Sequence, residues 1–71
     1  MENKLAEKIL EIINTSNEPL ETKEIEEKLK GYSRTKILYR LQNLRGEGLI
    51  KGKNVGPGKG VWIWWKKEAF H

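Results

Sequence analysis

Of the side chains able to do chemistry, this 71-residue sequence holds 14 lysines and arginines and little else. It has no cysteine and no aspartate; all 10 acids are glutamate, and the one histidine is the terminal His71. Disulfides, thiolate nucleophiles and cysteine metal sites are excluded, and no Ser–His–Asp arrangement can be assembled. A lone terminal His71 is no metal site either. The stretch Gly56-Pro57-Gly58-Lys59-Gly60 invites comparison with a phosphate-cradling loop. The Walker pattern G-x-x-x-x-G-K-[ST] would require glycine at position 53 and serine or threonine at 60. Those positions are Lys53 and Gly60, so the stretch reads as a mobile tip with Lys59 placed for a phosphate. The expectation is a protein that binds rather than catalyses, with no cofactor, no metal and no small-molecule ligand.

The cations are unevenly spread. From Met1 to Gly31 five basic residues stand against eight glutamates, a net charge of −3; from Tyr32 to His71 nine stand against two, a net +7. A basic half on an acidic support fits a polyanion met from one side. No apolar run approaches the roughly 20 residues that span a bilayer, and Lys8-Ile9-Leu10-Glu11-Ile12-Ile13 shows how charge keeps interrupting. A charged fraction of 34% without cysteine suits a cytoplasmic protein. The length allows one domain, residues 1–71.

Helices must position the basic half. The first is predicted from about Glu2 to Asn14, where Leu5, Ile9, Ile12 and Ile13, with Ala6, recur on one face. Thr15-Ser16-Asn17-Glu18-Pro19 interrupts it. The second is predicted over 22–30, with Thr22 as N-cap, Ile25 and Leu29 inward, and Gly31 closing it at positive φ. A capping box is not expected there, because Ile25 stands where a glutamate would be needed. The third, over 33–45, is the best delimited. Ser33 is its N-cap, Tyr32 and Ile37 have the spacing of a hydrophobic staple, and Ile37, Leu41 and Leu44 form the apolar stripe with Leu38 on its shoulder. The opposite arc carries Thr35, Lys36, Tyr39, Gln42 and Asn43, with Arg40 at its edge, and no acid lies between Gly31 and Gly46.

The rest, about 49–66, reads as two strands around the glycine-rich tip. In the second strand Val61, Ile63 and Trp65 share one face, and Trp62, Trp64 and Lys66 share the other. Only one face can bury against the helices. The reading adopted puts Trp65 in the core and turns Trp62 and Trp64 outward, as a surface for a protein partner, self-association or base stacking. The inverse facing would bury Trp62 and Trp64 and expose Trp65.

Three helices and a hairpin over essentially the whole chain resemble a winged helix-turn-helix domain, of the small stand-alone archaeal or viral type. Glu18-Pro19-Leu20-Glu21-Thr22-Lys23-Glu24-Ile25 is similar to the family's passage from helix 1 into helix 2. Ser33-Arg34-Thr35-Lys36-Ile37-Leu38-Tyr39-Arg40-Leu41-Gln42-Asn43-Leu44, then Gly48-Leu49-Ile50, resembles its recognition helix entering the first wing strand. The resemblance implies an α+β, mainly α fold: three helices and a C-terminal two-stranded β-hairpin wing. It also implies that the third helix enters the major groove of double-stranded DNA. Thr35, Lys36, Tyr39 and Asn43 then become the base-reading candidates, and Ser33, Arg34 and Arg40 sit nearer the phosphates. Lys51, Lys53, Asn54 and Lys59 of the wing would lie along the adjacent backbone or minor groove. Many regulators of the family carry a further terminal helix for dimerising, and this chain ends almost directly after its second wing strand.

The function expected is duplex DNA binding by a small transcription regulator. The rival from another class is a protein-interaction module or small subunit of a polymerase-type machine, docked through Trp62 and Trp64. Binding to structured RNA is a third reading.

Overall fold

The computed structural model describes residues 3–58 and 60–68. Lys59 and His71, and the predicted helix start at Glu2, lie outside the described residues. The elements are α1 (Lys4–Thr15), β1 (Leu20–Glu21), α2 (Thr22–Lys28), α3 (Arg34–Gly46), β2 (Ile50–Val55) and β3 (Val61–Lys66). This is the α+β architecture expected, with one addition: the sheet has three antiparallel strands in the order β1-β3-β2, not two. A two-residue strand has no periodicity to read. It exists because Leu20 and Glu21 pair with Trp64 and Ile63 across the chain.

Local signals account for the helix ends. Asn3 caps α1 by accepting from the Ala6 amide at 3.0 Å. Gly31, at φ +97°, turns the chain between α2 and α3 in a conformation that a side chain would strain. The N-cap of α2 is Glu21 and not Thr22. The Glu21 amide donates to Oε1 of Glu24 at 2.8 Å, so a capping box forms where none was expected. The one-residue shift releases Thr22, which is buried and has another task.

That task corrects the facing of the tryptophans. Trp64 is fully buried at the centre of the core, among Ile9, Ile13, Ile25, Ile37, Leu41 and Ile50. Its Nε1–H donates to Thr22 Oγ1 at 2.8 Å, which satisfies the one polar atom of the indole. Trp62 is half-buried and stacks on Trp64 with ring centroids 5.1 Å apart and planes 17° apart. The expected outward pair therefore faces inward. Val61, Ile63 and Trp65 take the solvent face, with Val61 exposed and the other two partly so.

The cause lies across the sheet, at Gly52, which is paired with Trp64. A Cβ at Gly52 would stand 2.6 Å from Cζ3 of Trp64, and closer still to Cε3. Glycine alone leaves room for the indole to lie flat against β2. Gly52→Ala is expected to destabilise the protein by about 1–3 kcal/mol through overpacking, read as a lower urea midpoint. An unchanged midpoint would show that the indole can shift freely, against the packing described.

Candidate nucleic-acid interface

The ridge of α3 is set by what holds its other side. Ser33 Oγ accepts from the Lys36 amide at 3.2 Å, and Ile37, Leu41 and Leu44 are buried. Thirteen residues at about 1.5 Å each give a rod of roughly 20 Å. On its free side Thr35, Lys36, Tyr39 and Gln42 are exposed, and Arg40 and Asn43 are half-buried at the margins. Tyr39 is 62% exposed, with the Arg40 guanidinium 5.3 Å from its ring centroid. The ridge thus carries donors, an aromatic ring and two cations, without an acid.

The other predicted residues fall in different places. Ser33 is exposed but engaged as the cap. Arg34 lies on the wing-side flank of α3, 4.0 Å from Glu26 Oε1, so part of its charge is answered by the protein itself. Lys51 and Lys53 pair with Trp65 and Ile63, which puts them on the sheet face turned away from the helices. Asn54 pairs with Trp62 on the opposite side of β2. The structure therefore gathers Thr35, Lys36, Tyr39, Arg40 and Asn43 on one surface and separates Lys51 and Lys53 from it by the thickness of the wing.

One cation was missed from the sequence. The Arg45 guanidinium lies 5.1 Å from the centroid of Trp62, so Trp64, Trp62 and Arg45 form a column from core to surface. A cation over an indole is held at the junction of α3 and wing. The signal was there: at about 100° per residue Arg45 falls next to Leu38, on the shoulder of the apolar stripe. The same column means Trp62 is no free stacking platform.

Between α1 and α3 runs a groove of about 530 Å³. Asn3, Lys4 and Leu5 form one side, and Tyr32, Thr35, Lys36, Tyr39 and Arg40 the other. Among the described residues no group of three or more His, Cys, Asp or Glu could hold a metal ion, and no helix is long and apolar enough to cross a membrane.

Three helices, a wing and an acid-free basic ridge define a winged-helix domain, a class compatible with nucleic-acid binding. The family model of the ribonuclease R winged-helix domain matches residues 7–61, from α1 to the first residue of β3, and the chain belongs to this family. No curated protein and no solved structure matches the chain.

Proposed function

We propose that the protein binds double-stranded DNA inside the cell as a small transcription regulator, α3 lying in the major groove and the wing along the backbone. It catalyses nothing in this reading. The observation that carries it is the outer face of α3: Thr35, Lys36, Tyr39 and Asn43 on one ridge, with Arg40 beside them and no acid among them. Lysine and arginine release counterions from phosphates, and asparagine can pair with an adenine edge. Titration of a random-sequence duplex at several salt concentrations tests this. With about 5 phosphates neutralised, the log–log slope of affinity against salt should be near −4 to −5. No binding at low salt would sink the proposal.

The family supports a second reading, RNA, because the matching domain is named for a ribonuclease. An A-form duplex has a major groove too narrow for α3, so RNA would be met at loops or single strands. Running duplex DNA, duplex RNA and single-stranded RNA of one sequence side by side separates the two. Docking of a partner through Trp62 and Trp64 loses its basis with Trp64 buried.

A further inference from the structure

The groove between α1 and α3 combines features that neither a plain anion site nor a plain apolar site needs. Three cations line it, Lys4 from α1 and Lys36 and Arg40 one helical turn apart on α3. Of the described residues lining it, none is acidic. Leu5 is buried at its base and Tyr32 is half-buried against the core, which gives it an apolar floor. Tyr39 stands at its rim, largely exposed. At about 530 Å³ it lies within the range of small-ligand sites, far larger than one phosphate requires.

A ligand that satisfies all of this has a flat, largely apolar body and a negative end. We propose that the groove binds a nucleoside phosphate, its base against Tyr39 over the Leu5 and Tyr32 floor and its phosphate on Lys4, Lys36 and Arg40. An acidic side chain would satisfy the cations and leave the floor uncovered. Two sources supply the ligand: a free mononucleotide, or an unpaired nucleotide at the end of a strand whose duplex lies on α3. Only the second source rests on the nucleic-acid reading above. Thr35, Lys36 and Tyr39 line the groove and also stand on the exposed ridge of α3, so the groove opens directly onto the surface along which a duplex would lie.

The test is a titration of the ¹⁵N-labelled protein with AMP, adenosine and inorganic phosphate, followed through its amide resonances. AMP is expected to bind at least about tenfold more tightly than either fragment, since stacking and charge pairing both contribute. The shifts should centre on Leu5, Thr35, Lys36 and Tyr39. Lys4→Ala and Tyr39→Ala should each weaken AMP by about tenfold, and both positions are exposed, so the remaining resonances report an intact fold. In parallel, a blunt duplex is compared with the same duplex bearing one unpaired nucleotide. AMP binding with this preference over its fragments, and no gain for the overhang, identifies the free nucleotide as the source. A gain of about tenfold for the overhang, lost in Lys4→Ala, identifies the strand end. If AMP binds no better than phosphate and the overhang brings no gain, the proposal is overturned. The affinity for the blunt duplex alone judges the reading of α3, so the two fail separately.

Discussion

Trp64→Ala is expected to remove about 3–5 kcal/mol of stability, the largest loss of any single truncation in this chain. A domain of 71 residues has a total of roughly 4–11 kcal/mol to lose, so the variant should be close to unfolded at 37 °C. The size of the effect follows from position. Trp64 is completely buried in the core cluster to which all three helices contribute, and its removal leaves a void that the surrounding elements cannot fully close. It also leaves Thr22 buried without its indole partner. Urea denaturation of Trp62→Ala, Trp64→Ala and Trp65→Ala is the measurement. Trp62 and Trp65 are partly exposed, so each should cost less than Trp64. A larger loss for Trp65 than for Trp64 would reverse the facing of the sheet.

The second large effect belongs to binding. Alanine at Lys36, Arg40 and Asn43 together is expected to weaken duplex affinity by about 100-fold or more, with little change in the urea midpoint. Two lost phosphate contacts should flatten the salt slope by about 2. Loss of Asn43 should relax preference at one base pair by about 1–3 kcal/mol. The stability of the variant should hold because Ile37, Leu41 and Leu44, and not these three, anchor α3. A triple variant that binds as the parent does would show that α3 is not the reading element.

Where a local rule determines the outcome, the sequence was enough. The Ser33 cap and the stripe of Ile37, Leu41 and Leu44 set the angle of α3 about its axis, and with it the exposed ridge. The positive φ of Gly31 was equally legible. The facing of β3 was not, because both of its faces carry large apolar side chains and a period of two is blind to which is inward. The deciding residues, Gly52 and Thr22, lie in other elements. A glycine inside a strand was a clue that something approaches closely there, though it does not say from which side. The cap of α2 was misplaced because Thr22 has the better intrinsic preference, while its burial against Trp64 made Glu21 the cap. Likewise the groove joins Asn3, Lys4 and Leu5 to side chains thirty residues away, and no local pattern brings those together.

The column of Trp64, Trp62 and Arg45 has a bearing on how such a protein would choose its target. The Arg45 guanidinium over Trp62 links α3 to the wing, and Trp62 in turn rests on the buried Trp64, so movement of α3 against the wing is resisted. Any mismatch between their set angle and the shape of a helix lying against both must then be absorbed by the nucleic acid, through bending or a change of groove width. The cost of that deformation depends on base sequence. A reader whose helix and wing resist relative movement would therefore discriminate among targets at base pairs it never touches, favouring those that yield most easily.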